Sequence, residues 1–199
     1  TVQNARMITY NDGTPIPQVT CNELRNQSTG AWCYYNDDST KQRLYNWYAV
    51  VGVYNTESLS NTSIRKKFAP EGWHVPSNSE WNELEVYLIS NGFNYDYTLT
   101  GDKIGKSIAS TSEWEYVDGT GKVGNDQNTN NRSGFNVYPE GYIGGNGISQ
   151  DEGMKALFWT SERSSPDYAY LRNLTYQSKD LPDGNNFIKL GMSVRFVKD

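Results

Sequence analysis

The chain is poor in the residues from which most catalytic systems are built. Its 199 residues include one histidine, His74, and two cysteines, Cys21 and Cys33. A Ser-His-Asp or Cys-His nucleophile would have to run through His74. That residue stands between Trp73 and Val75, just ahead of a helix signal, and reads as a packed or backbone-bonded side chain. A zinc site takes three or four His, Cys or carboxylate ligands, which one histidine and two distant cysteines do not supply. The glycine-rich run Gly144-Gly145-Asn146-Gly147 lacks the lysine and the strand-to-helix setting of a phosphate loop, and reads as a tight turn.

A basic surface is also missing. Lys and Arg number 18 against 23 Asp and Glu, and Arg65-Lys66-Lys67 is the longest basic run. Nothing in that balance tracks a phosphate backbone, so no nucleic-acid partner is expected. No stretch approaches the roughly 20 apolar residues of a membrane helix, so no membrane insertion of this domain is expected. The best apolar run, Tyr48 to Tyr54, reads as a buried strand. Thr1 is not a natural start, so a missing signal peptide carries no weight. The expectation is the C-terminal part of a longer exported protein. Cys21 and Cys33 fit that compartment either as one short-loop disulfide or as two thiols, because sequence does not test the geometry.

What the chain has in quantity is aromatic surface: 15 Tyr, 6 Trp and 6 Phe. Large rings bury much area per residue, which suits a loop-rich fold. The length supports one good core and is short for two, so residues 1–199 read as one domain.

Ser77 and Glu80 make a capping box. Trp81, Leu84 and Leu88 follow at helical spacing, and Asn91-Gly92 supplies a stop, which predicts a helix over 78–91. A shorter helix is expected over 102–108. From Ser110 to Gly147 the chain is a long-loop region pinned by Trp114, Tyr116 and Phe135–Tyr138. Strands are expected over 156–160, 168–176, 187–190 and 192–197, the last with Met192, Val194 and Phe196 on one face. Trp47, Trp73, Trp81 and Trp159 are the expected core tryptophans. The class is α+β, with one or two helices, small antiparallel sheets and long ordered loops.

Seven segments carry a family resemblance in order. They are Gly30–Asn36 (GAWCYYN), Leu44–Val50 (LYNWYAV), Ala69–Pro76 (APEGWHVP), Ser133–Asn136 (SGFN), Pro139–Tyr142 (PEGY), Phe158–Ser161 (FWTS) and Gly191–Asp199 (GMSVRFVKD). Together they resemble the Fibrobacter succinogenes major paralogous domain, common in exported proteins of Bacteroidetes. The resemblance implies a C-type-lectin-like fold, similar also to the formylglycine-generating enzymes. Those enzymes use reactive cysteines late in the chain, whereas no cysteine follows Cys33 here. Lys41-Gln42 replace a Tyr-Gly frequent in the family. Ala69 and Phe196 stand where many members have cysteines; if those pair in relatives, Phe196 fills the space here by packing.

Fold resemblance does not fix function. The expectation is a non-enzymatic binding module at a bacterial, or alternatively a virion, surface, with a glycan or protein ligand. The candidate ligand-binding residues are Arg163, Tyr168, Tyr170, Arg172, Tyr176, Asn185 and Asn186. Tyr and Arg give contact area at modest entropy cost, and Asn adapts its hydrogen bonds. The stretch Phe158–Asp199 is also similar in composition to the variable region of retroelement-diversified receptor-binding proteins. An envelope or pilus module is the other alternative. No cofactor is expected. Calcium stays open through the oxygen-rich runs at Asn36–Asp38 and Asp180–Asn186, although the Glu-Pro-Asn type of triplet is absent. A carboxylate hydrolase would need two acids about 5–9 Å apart across a cleft, and no spacing singles out such a pair.

Overall fold

A computed structural model describes residues 2–199. The elements are short. The first half contains β1 (Val2–Asn4), α1 (Cys21–Leu24), β2 (Trp32–Tyr34), β3 (Arg43–Tyr45), α2 (Trp47–Val50), α3 (Glu57–Ser60), β4 (Trp73–His74), α4 (Asn78–Ser90) and α5 (Gly105–Ile108). Strands β5 (Tyr142–Ile143), β6 (Ser149–Gln150), β7 (Lys155–Ser165), β8 (Tyr168–Thr175), β9 (Asp183–Phe187) and β10 (Arg195–Lys198) follow. They pair antiparallel as β1-β10-β4, β2-β3, β5-β6 and β7-β8-β9. The result is a mixed α and β chain with few helices and small antiparallel sheets.

Helix α4 starts where its cap predicts. Ser77 Oγ accepts from the Glu80 amide at 3.2 Å, and the Glu80 carboxylate accepts from the Ser77 amide at 2.8 Å. Each satisfies a donor that the first turn leaves free. The helix turns Trp81 and Leu88 inward.

Strand β7 organises the interior, because successive side chains point to opposite faces. Leu157 and Trp159 enter a cluster with Tyr45, Trp47 and Met192. Ala156 and Phe158 enter a second cluster with Trp81, Leu88 and Ile108. Burial on both faces explains the unbroken apolar run. A small third cluster holds Cys21, Leu24, Cys33 and Leu44. The segment 191–193 stitches these layers together. Gly191 bridges to Ile143, Met192 to Tyr45 and Ser193 to Phe158.

Several expectations need correction. The run Tyr48–Tyr54 is not a strand: Asn46 accepts from the Ala49 amide at 3.0 Å and caps α2, and Gly52 turns the chain at φ 74°. A short apolar run fits either element, and the Asn cap decides. The second helix shrinks to Gly105–Ile108, because Asp102 accepts from the amides of Ile104 and Leu181 instead of opening a helix. The strand expected over 187–190 is Asp183–Phe187, set by its register against β8. The final strand proper begins at Arg195, although Met192, Val194 and Phe196 do share the first cluster. Phe196 packs there against Phe68, with ring centroids 5.5 Å apart. Trp47, Trp81 and Trp159 are buried, but Trp73 is half-buried; Trp32 and Trp114 are buried instead. Tyr116 pins nothing, being 72% exposed.

Candidate functional site

The β7-β8-β9 sheet sorts the seven candidate residues by face. Ala169 and Leu171 point into the first cluster, so Tyr168, Tyr170 and Arg172 point the other way. Cross-strand partners share a face. Phe187 lies opposite Tyr168, and Asn185 opposite Tyr170. The open end of the sheet therefore gathers Tyr168, Tyr170, Asn185 and Phe187. Tyr168 is 44% exposed and Phe187 36%, with their rings 6.1 Å apart, edge to face. Phe187 was not among the candidates; its place opposite Tyr168 follows from a strand pairing that composition does not reveal.

The other four candidates do not join them. Arg172 is 2% exposed. Helix α4 covers it: Arg172 donates to the Asn78 carbonyl at 3.0 Å and to the Asn82 side chain, and Glu85 lies 3.8 Å away. It holds helix to sheet and is not open to a ligand. Arg163 and Asn186 both stand opposite Ala169, on the reverse face, and Arg163 lies 4.9 Å over the Trp47 ring. Tyr176 follows the far end of β8 and packs on the second cluster.

A second surface has the form of a cleft of about 490 Å³. It is assembled from five separate segments, and Arg6, Tyr34, Glu113, Tyr138, Glu140 and Glu152 are among its lining residues. Glu140 is held from behind, because Ser193 Oγ donates to its carboxylate at 2.8 Å. Burial pushes the Glu140 carboxyl up, against that hydrogen bond and the charges of Arg195 and Arg6. Arg195, buried behind it, donates to the carbonyls of Phe135 and Asn136 at 3.0 and 3.1 Å. Lys41 on the rim pairs with Glu152. The guanidinium of Arg43 donates to the Arg6 carbonyl and lies over the Trp32 ring at 4.9 Å. Sequence reasoning found none of this set; Pro139-Glu140-Gly141 was noticed only as a family motif.

His74 is structural, paired with Val197 in the β4–β10 ladder, but its side chain bonds carboxylates rather than backbone. Its Nε2 lies 2.6 Å from Glu80 and its Nδ1 2.7 Å from Asp199. The hydrogen bond with Asp199, together with Glu80, raises its pKa against the opposing effect of burial. With both nitrogens engaged by carboxylates, neither is left to activate a nucleophile. Cys21 and Cys33 are buried free thiols, so of the two alternatives left open, the disulfide is the one not formed. Cys21 Sγ bonds the Tyr34 carbonyl at 2.9 Å, and burial pushes the Cys33 thiol up. Among the described residues, no three His, Cys, Asp or Glu converge as a metal set. Asp37 and Asp38 instead accept from the amides of Cys21 and Thr40.

No curated protein and no solved structure gives a significant match to the chain. The family model of the Fibrobacter succinogenes major domain matches residues 1–198, nearly the whole length, and takes in all seven of the ordered segments except the final Asp199. On that coverage, the chain belongs to the Fibrobacter succinogenes major domain family.

Proposed function

We propose that this chain is a non-enzymatic binding module of C-type-lectin-like fold, displayed outside the cell. It holds a glycan or protein ligand on the open end of its C-terminal sheet. The observation that carries this reading is the exposed Tyr168–Phe187 pair, flanked by Tyr170 and Asn185 on one face. The backbone beneath is fixed by two antiparallel ladders, so the rings are presented at little ordering cost on binding. Aromatic anchors amid adaptable polar groups are what recognition surfaces use. The non-enzymatic part rests on His74, whose ring is engaged by Glu80 and Asp199.

A glycan array and a pull-down from envelope extracts test it, each run with wild type and with Tyr168→Ser/Phe187→Ser. The expected result is a ligand retained by wild type and lost by the double variant, with unchanged melting. A ligand that both proteins retain equally would overturn the placement. Self-association through this face, with no ligand found, would favour an envelope-assembly module.

A further inference from the structure

The cleft around Glu140 is lined by groups of both signs in equal number. Arg6, Lys41 and Arg43 stand against Glu113, Glu140 and Glu152. Lys41 is engaged by Glu152, and Arg43 by the Arg6 carbonyl and the Trp32 ring. Neither a polyanion nor a polycation finds a net field there. Strongly apolar ligands are disfavoured too, since seating one would strip water from these charged groups with nothing in return. What the walls do offer is a mixture of acceptors, donors and ring faces.

We propose that this cleft is a second binding site, separate from the sheet's open end, and that it takes one ring of a neutral sugar. The volume of about 490 Å³ lies within the roughly 300–1,000 Å³ of small-ligand pockets. Tyr138 lines the cleft and supplies a ring for the apolar side of the sugar, while the Tyr34 ring is taken up by Arg43, 5.7 Å over it. Glu113 and Glu140 accept from hydroxyls, and Arg6 donates. Among the described residues, Ser193 is the one hydrogen-bond donor on the Glu140 carboxylate, which leaves acceptor capacity on that group. An amino acid would also meet both signs of charge. However, Lys41 and Glu152 already pair with each other and Arg43 is engaged by the Arg6 carbonyl, so little of that charge is free to hold one. Sugar hydroxyls bond a carboxyl group whether or not it is ionised.

Saturation-transfer NMR on the whole chain, with glucose, galactose, mannose and N-acetylglucosamine at millimolar concentration, tests the site. At least one sugar should receive transfer. Tyr138→Ala and Arg6→Ala should each weaken it by about tenfold, the effect of losing one good contact, and Tyr168→Ser should leave it unchanged. Glu140→Ala, which removes the acceptor altogether, should weaken it as well. The proposal fails if no sugar responds, if glycine or inorganic phosphate displaces the sugar, or if Tyr138→Ala binds normally. Loss in Tyr168→Ser alone would move the sugar to the open end of the sheet, supporting that site and overturning this one.

Discussion

The open end of the sheet gathers around Tyr168, which pairs with Ser165 at the end of β7, whereas Glu152 of the cleft precedes the strand's first residue, Lys155. The two regions are built in opposite ways. The sheet end draws Tyr168, Tyr170, Asn185 and Phe187 from two neighbouring strands, and Tyr168 and Phe187 leave large parts of their rings in water. Removing such a side chain takes nothing out of a core. The cleft draws on five segments that meet only when the chain is folded, and Glu140 leans on Ser193 in the stitching segment 191–193. The recognition proposed at the sheet end is thus separable from stability. At the cleft, the groups proposed to bind are held by groups that fold the chain.

Trp159 is the largest test, because it is 0% exposed, donates to the Tyr45 carbonyl at 2.9 Å and stands between the two regions. Trp159→Ala should cost about 3–5 kcal/mol, the usual loss for a buried large aromatic, and should abolish both sites together. A loss below about 1 kcal/mol in denaturant melts would be far under that range and would mean β7 is not the shared support. Next comes a pair four positions apart on β8. Arg172→Ala should cost about 2–3 kcal/mol through its lost charged hydrogen bonds. Tyr168→Ser should stay within about 0.5 kcal/mol. Equal costs would erase the contrast between covered and open parts of the same sheet face.

Gly141 sharpens the cleft side. Its φ is +68°, and a Cβ there would stand 2.4 Å from the Gln150 carbonyl and 2.7 Å from the Tyr35 ring. Gly141→Ala should cost at least about 1–2 kcal/mol for the left-handed backbone alone. Because Glu140 precedes it, sugar transfer should weaken along with stability, whereas ligand capture at the sheet end should not change. Stability lost with sugar binding intact would uncouple what the cleft's construction couples.

The same contrast explains what was legible in the sequence. Helix α4 was readable because Ser77, Glu80, Trp81 and Leu88 are local signals. That Tyr168, Tyr170 and Asn185 share an open face was readable in outline because strand composition is local too. Arg172 was misread because arginines are seldom buried, and the helix that covers it lies about 90 residues earlier. Glu140 escaped because nothing within a few residues marks a carboxylate that will face Arg6 and Ser193. The helical turn at Trp47–Val50 was hidden by an apolar run too short to show its period.

His74 gives the smallest and most selective test, since it ties α4 to the chain's last residues through Glu80 and Asp199. Its pKa is raised in the folded state. A raised histidine contributes stability that is fully present below the unfolded value of about 6.5 and is lost as pH rises through the folded value. Glu80 is shifted down: burial, its largest influence, raises it, but bonds from Ser77 and His74 outweigh that. Its contribution is present above the ordinary glutamate range and fades only as pH falls through the folded value. The window above about pH 6.5 therefore reports on His74. Both partners are partly open to solvent, so the loss should be under about 1 kcal/mol. His74→Gln should flatten it in urea melts taken across that window. Because Asn78, at the start of α4, bonds Glu162 of β7 at 2.7 Å, the amide signals of 78 and 162 should follow the titration, while those of Glu140 and Ser193 stay still. Movement at Glu140 of the same size would show that the cleft is not insulated from α4, and the two ends of β7 would then have to be treated as one coupled site.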